Sequence, residues 1–264
     1  MFLLIDAAGR FPLGDDGEPK LFDAPPAATD STSHVHVTRE VTAARVHGVD
    51  AADLAGPHGA TGDARTHASH PLAARAVGLV DARERTRFDP ADGSEVRWVD
   101  GGIVARGATG RPIFPRLDPC VIGLVEDPAG ERILLVENAR RPGYLTLVAG
   151  YVDVGETLEA AFAREVWEET GRRVSDVRYL RSQPWPLSGA LMLGMAARTA
   201  DTDAQAPTDG ELTRTVWASR GDLDSLTLAA EGTIARALID YWADTPHTPH
   251  TPHTPTPEGA HPWR

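Results

Sequence analysis

Gly150-Tyr151-Val152-Asp153-Val154-Gly155-Glu156-Thr157-Leu158-Glu159-Ala160-Ala161-Phe162-Ala163-Arg164-Glu165-Val166-Trp167-Glu168-Glu169-Thr170-Gly171 is the stretch whose reading decides the fold. Leu158, Ala161, Phe162 and Val166 follow the 3.6-residue period of a helix, Thr157 can cap its start, and Gly171 stands where a glycine ends one. Glu165, Glu168 and Glu169 are three and four residues apart, so their carboxylates share one helix face. Like charges at that spacing destabilise a bare helix. Arg164 could partner them as an ordinary solvated acidic face, or an oxygen-loving divalent cation could sit among them. Without neighbouring His or Cys, zinc and copper are disfavoured and a hard ion such as Mg²⁺ is favoured. Such a cation pairs with phosphates and acidifies bound water, leaving a glutamate to take the proton.

Outward from this helix the pattern is mixed α/β. Cys120 to Val125 and Ile133 to Val136 are short apolar runs around the turn Asp127-Pro128-Ala129-Gly130, which predicts a hairpin. Further strands are expected at Leu145 to Ala149, Val174 to Leu180, Leu191 to Ala197 and Glu211 to Trp217, and a last amphipathic helix from Thr233 to Ile239. These make a domain over 116–243. Before it, 1–75 reads as a smaller, loop-rich α/β region in which Val35, Val37 and Val41 hint at a strand, and 76–115 as a connector of helix and short Gly- and Asp-rich strands. After it, 244–264 repeats Thr-Pro-His, a composition that neither forms a helix nor buries a core, so a disordered tail is expected.

Composition removes whole classes of chemistry. The chain has 264 residues with 26 basic and 38 acidic side chains, a net charge of −12 that disfavours extended nucleic-acid binding. Lys20 is the single lysine, so no Walker-type phosphate lysine exists in the C-terminal domain. Histidine is missing between Pro71 and Pro246, which excludes a Ser-His-Asp or Cys-His arrangement there. Cys120 alone cannot form an internal disulfide or a multi-thiolate zinc site. Met1 to Ile5 is too short for the apolar core of a secretion signal, and no apolar run approaches the roughly 20 residues of a membrane helix. A cytoplasmic location and no membrane partner are the expectation.

Gly150, Glu156, Arg164, Glu165, Val166, Glu168, Glu169 and Gly171 match G-x5-E-x7-R-E-U-x-E-E-x-G-U, so the chain resembles the Nudix hydrolases. The last position of the box, usually aliphatic, is Arg172. The resemblance implies a Nudix-type α/β/α sandwich with a mixed sheet, in which the box forms loop, helix and loop. It implies hydrolysis of a nucleoside diphosphate derivative, with Mg²⁺ or Mn²⁺ on Glu165 and Glu169, Glu168 sharing or assisting, and Arg164 among the catalytic group. Ala149 matches a backbone metal contact and Glu211, six residues before Trp217, a distal metal-binding glutamate.

Ser182-Gln183-Pro184-Trp185-Pro186-Leu187 is similar to the SQPWPFP signature of the NADH pyrophosphatases, with Leu187 for phenylalanine and with Ser188, Gly189 and Ala190 replacing the proline, variable residue and serine that follow. By itself it reads as a stiff loop packed on the core. The likeness implies substrate contacts from Gln183, Pro184, Trp185, Pro186, Leu187, Ser188, Gly189 and Ala190. Phe114 and Tyr151 fall where the family stacks adenine between two aromatic rings, one from each subunit of a homodimer, and Ala235 and Arg75 fall at further substrate positions. The expected substrate is NAD(H), cleaved to nicotinamide mononucleotide and AMP, with removal of NAD caps from RNA as a secondary activity. These enzymes usually carry a four-cysteine zinc ribbon, but here Asp89, Asp92, Arg106 and Thr109 take the cysteine places, so a connector without zinc is expected, held by Trp98, Val104 and Ile113. Hydrolysis of another nucleoside diphosphate derivative such as ADP-ribose, and a non-catalytic NAD- or ADP-ribose-binding regulator, stay open as alternatives.

Overall fold

The computed structural model describes residues 1–25 and 30–245. In the N-terminal unit β1 (Phe2–Ile5), β2 (Arg10–Pro12), β3 (Leu21–Phe22), β4 (Asp30–His36) and β5 (Thr42–His47) precede the short α1 (Ala51–Ala55), β6 (Thr61–Asp63) and α2 (Pro71–Arg85). A four-stranded sheet runs in the order β3-β1-β5-β4, with β1 and β5 parallel. Ala73, Ala76, Val77 and Val80 of α2 pack on Leu3, Ile5, Val35 and Ala43. The expected division between residues 75 and 76 therefore falls inside α2, because the apolar face of that helix completes the N-terminal core on both sides of it.

The connector follows as β7 (Arg97–Val99), β8 (Val104–Arg106) and β9 (Pro112–Ile113) in one small antiparallel sheet. Trp98 is covered by the Arg83 guanidinium, 5.3 Å from its ring centroid. Hydrogen bonds join the turns that would carry a ribbon's thiolates. Asp89, 3% exposed, accepts from Ala91 N at 2.9 Å and from Thr109 Oγ1 at 3.5 Å, while Asp92 accepts from the Ser94 hydroxyl at 2.6 Å. That same hydroxyl oxygen accepts from Ala108 N at 2.8 Å, which links the two turns.

The C-terminal domain contains β10 (Asp118–Glu126), β11 (Arg132–Asn138), β12 (Val148–Tyr151), α3 (Leu158–Thr170), β13 (Ser175–Trp185), β14 (Ala190–Arg198), β15 (Leu212–Ser219) and α4 (Ile234–Asp244). Its mixed sheet has the order β13-β14-β10-β11-β15, with β12 also paired to β10. Alternation along β10 sends Val121 and Val125 to one face, under Ala161, Phe162 and Val166 of α3. Ile122 and Leu124 point to the other, under Ile234, Leu238, Ile239 and Trp242 of α4. Two helices thus cover a sheet whose central strand is apolar on both sides, an α/β sandwich. Thr157 caps α3 by accepting from Ala160 N at 3.2 Å, and Gly171 ends it at φ +66°.

Two elements differ from the reading of the sequence. The strand expected at Leu145 to Ala149 lies at Val148–Tyr151, since Leu145 and Thr146 are taken by isolated bridges to Leu228 and Val136. The strand expected to stop at Leu180 continues through Trp185, so Ser182 to Trp185 form ladder rungs with β14 instead of a loop. Pro184 is tolerated because β13 lies at the sheet edge, where a missing N–H costs no ladder bond. The expected tail over 244–264 lies, from residue 246 onward, outside the described residues.

Candidate functional site

The edge of β12 and the face of α3 meet around one guanidinium. Arg164 makes a forked pair with Glu156, Nε to Oε1 at 2.7 Å and Nη2 to Oε2 at 3.0 Å. Its Nη1 donates to Glu165 Oε1 at 2.8 Å and to Glu168 Oε2 at 2.9 Å, and Nη2 also reaches the Tyr151 carbonyl at 3.0 Å. The hydrogen-bonded guanidinium holds the Glu156 carboxyl down at about 2. The same carboxylates raise Arg164 above the usual arginine value. Arg164 is therefore a fixed positive post that aims two of the three helix carboxylates.

Among the described residues Glu169 has no such partner. It is 5% exposed, and burial, together with the charges of Glu165, Asp209, Glu211 and Glu168, pushes its carboxyl up to about 8. Burial and the charges of Glu168 and Glu211 also raise Glu165, against the pull of Arg164. Cys120 lies close enough that burial and the Glu165 and Glu169 charges push its thiol up to about 12, with Arg141 acting in the opposite direction. The floor of the site is Gly150, where a Cβ would coincide with the Glu165 carboxyl group. Among the described residues no three ligating side chains already form a closed metal cage. The donor set nevertheless suits a hard cation: carboxylate oxygens crowded beside a glycine gap, one of them raised by burial and by its acidic neighbours.

The structure brings Glu165, Glu168, Glu169 and Glu211 into electrostatic range of one another, with Ala149 preceding the glycine gap on β12. Asp209 joins them, and Arg141 acts on the neighbouring Cys120 thiol; the sequence reading named neither. Asp209 lies only two residues before Glu211, but its role depends on a turn in which its Oδ1 accepts from Glu211 N at 2.9 Å. Arg141 sits on the exposed stretch after β11 and belongs to no motif.

Phe114 and Tyr151 are exposed aromatics, 66% and 52%, and Tyr151 Oη lies 3.4 Å from Ser188 Oγ. Pro184, Leu187 and Ser188 are exposed, Trp185 and Gly189 are half-buried, and Pro186 and Ala190 are buried. The Arg65 guanidinium stands 5.9 Å from the Trp185 ring, so the N-terminal unit touches this segment at Trp185. Three expected substrate contacts have partners or packing within the chain itself. Gln183 is 6% exposed and spent on structure: its Nε2 donates to Ser69 Oγ at 2.8 Å and Gly232 O at 2.7 Å, and its Oε1 accepts from Ile234 N at 2.7 Å. Ala235, 4% exposed, has its methyl in the core beneath α4. Arg75 donates through Nε to the Val37 carbonyl at 2.9 Å within the N-terminal unit. Gln183→Leu should accordingly destabilise the protein by about 1–3 kcal/mol, through the orphaned Ile234 N–H, a loss measurable by urea denaturation.

Residues 116–240 match the NUDIX domain model. An NAD-capped RNA hydrolase, NudC, of Mycobacterium bovis is 34% identical over 261 residues, covering 90% of this chain and 82% of that protein. The chain belongs to the Nudix family. The NAD-capped RNA hydrolase NudC of Deinococcus radiodurans is 38% identical over 173 residues, 64% of this chain and 61% of that protein. A crystal structure of a Nudix hydrolase from Nitrosomonas europaea aligns with a TM-score of 0.47 at 20% identity, covering 60% of this chain and 90% of that one. The Nudix box thus supplies Arg164, its carboxylates and both boundary glycines. No helix among the described residues is long and apolar enough to cross a membrane.

Proposed function

We propose that this protein hydrolyses the diphosphate bond of NAD(H), with Mg²⁺ or Mn²⁺, giving nicotinamide mononucleotide, reduced when it comes from NADH, and AMP. The observation that carries the reading is the carboxylate cluster beside Gly150, with exposed Tyr151 and Ser188 at its rim. The likeness over 90% of the chain to proteins named for NAD-capped RNA supports the substrate class.

Glu165, Glu169, Glu168 and Glu211, with the Ala149 carbonyl, would hold the cation. When bound, it supplies positive charge to the diphosphate oxygens and acidifies a water. Arg164 keeps Glu165 and Glu168 pointed at the site and offsets their mutual repulsion. Glu168, with its side chain 47% exposed against 14% for Glu165 and with Glu169 buried, is the helix carboxylate most open to an incoming water and takes its proton. Tyr151 and Phe114 offer flat faces for the adenine, Phe114 from the second subunit of a homodimer, in a cytoplasmic enzyme whose connector holds no zinc. Removal of NAD caps from RNA belongs to the same chemistry, with contact confined to the cap by the −12 net charge.

Chromatography of the products from NADH, NAD⁺, ADP-ribose and a short NAD-capped RNA, with and without Mg²⁺ or Mn²⁺, tests the reading. Metal-dependent release of AMP and reduced nicotinamide mononucleotide from NADH is expected. Faster turnover of ADP-ribose would move the substrate assignment, and tight binding of NADH without turnover would favour a regulator.

A further inference from the structure

Arg172 follows the glycine that ends α3 and is 7% exposed, an uncommon place for a guanidinium. Its hydrogen bonds go to main-chain carbonyls. Nη1 donates to Thr170 O at 2.9 Å, while Nε and Nη2 converge on Thr202 O at 3.3 and 3.0 Å. The Trp217 ring lies 5.9 Å from the guanidinium, and its Nε1 donates to the same Thr202 oxygen at 2.9 Å. A planar fork therefore bridges the end of the catalytic helix to the segment that follows β14.

That segment, 199–211, delivers two of the site's carboxylates. Gln205 N donates to Gly171 O at 2.8 Å and Asp209 N to Glu168 O at 3.0 Å, so two carbonyls at the end of α3 receive partners from it. The approach is close: a Cβ on Gly171 would stand 2.5 Å from the Ala206 carbonyl oxygen. Beyond it, Asp209 Oδ1 accepts from Glu211 N, and Ala139 N donates to Glu211 O at 2.9 Å. The contacts thus run unbroken from Arg172 to Glu211. The segment brings negative charge toward carboxylates already crowded on α3, so repulsion opposes its docking. Two arginines hold the near end: Arg173 pairs with the exposed side of the segment through Asp201, Nε to Oδ2 at 3.0 Å and Nη2 to Oδ1 at 3.2 Å, while Arg172 is the buried one that binds its main chain.

We propose that Arg172 is a positioning residue, clamping the 199–211 segment to the C-terminal end of α3 and so setting Asp209 and Glu211 against the Glu165–Glu169 cluster. The assignment of metal binding to that cluster is the functional reading made above; the clamp itself is a statement about the chain. An aliphatic side chain would fill the space beside Trp217 but would leave the Thr170 carbonyl without this donor and remove two donors from Thr202. A lysine would keep the charge and lose the fork.

Amide hydrogen exchange resolved at Gln205 and Asp209 in the parent, Arg172→Leu and Arg172→Lys, combined with Mn²⁺ titrations followed by thermal stabilisation, tests the proposal. Arg172→Leu is expected to speed exchange at both amides at least tenfold, to leave β10 amides at the parent rate, and to raise the Mn²⁺ midpoint severalfold; Arg172→Lys should fall between. If the leucine variant does not fold, the lysine variant is decisive on the same two amides. Parent-like exchange at Gln205 and Asp209 in a folded variant, or equal acceleration throughout β10, overturns the clamp. A parent that Mn²⁺ does not stabilise, with exchange at the two amides still accelerated in the variants, overturns the metal reading and leaves the clamp standing.

Discussion

Glu169→Gln is expected to lower kcat for NADH by about 10²- to 10⁴-fold and, at the same time, to make the metal-free protein more stable at pH 8. The two effects have one cause. Glu169 is buried among four other acidic groups, and its carboxyl is pushed up to about 8 from an ordinary 4.5. Between those values the folded state holds a proton that the unfolded state has released, so stability falls as pH rises through this window and levels off above it. Glutamine keeps the shape of the protonated acid and cannot ionise. At pH 8 and without metal its melting temperature should exceed the parent's by about 2–8 °C, the shift that roughly 1–2 kcal/mol gives at this size. At pH 4.5 the two should coincide. Bound Mg²⁺ should stabilise the parent more at pH 8 than at pH 5 and the variant little at either. Melts of both proteins at the two pH values, with Mg²⁺ and with chelator, decide it; a variant less stable than the parent at pH 8 without metal would mean that the carboxylate is already compensated.

How far this site could be read from the chain follows from the range of the contacts. The carboxylate-bearing helix is legible because its signals are local: Thr157 caps Ala160 N, Gly171 turns at positive φ, and the carboxylate spacing is set by the helix itself. Arg164 was legible as a partner to the glutamates, while its fork onto Glu156, eight residues away, needed the loop's actual path. Gln183 illustrates the opposite case. Its partners Ser69, Gly232 and Ile234 lie on other elements, and nothing within a Ser-Gln-Pro-Trp run announces that its glutamine will tie the N-terminal unit to α4. Extension of β13 through Pro184 was hidden for a related reason, since only the strand order makes that strand an edge. Ala235 reads as a helix-start residue in sequence, and only packing shows its methyl turned into the core.

Gly150→Ala should separate catalysis from folding. Gly150 is not among the glycines with positive φ and sits in β12, paired with Val121, so an alanine backbone is unstrained there. What the added methyl meets is the carboxyl end of Glu165, a flexible group that can swing aside. The fold should therefore keep its stability to within about 1 kcal/mol, because glycine in a strand holds no intrinsic advantage over alanine. Displacing Glu165, however, breaks its bond to Arg164 Nη1 and moves one oxygen of the site by about the length that costs 10²-fold in rate. Gly171→Ala is the counterpart: at φ +66° and beside the Ala206 carbonyl, it should lose stability before it loses chemistry. Steady-state NADH hydrolysis at saturating Mg²⁺ and urea denaturation of both variants would show opposite patterns. If Gly150→Ala turned over NADH at the parent rate, Glu165 could not be holding the cation where the floor of this site places it.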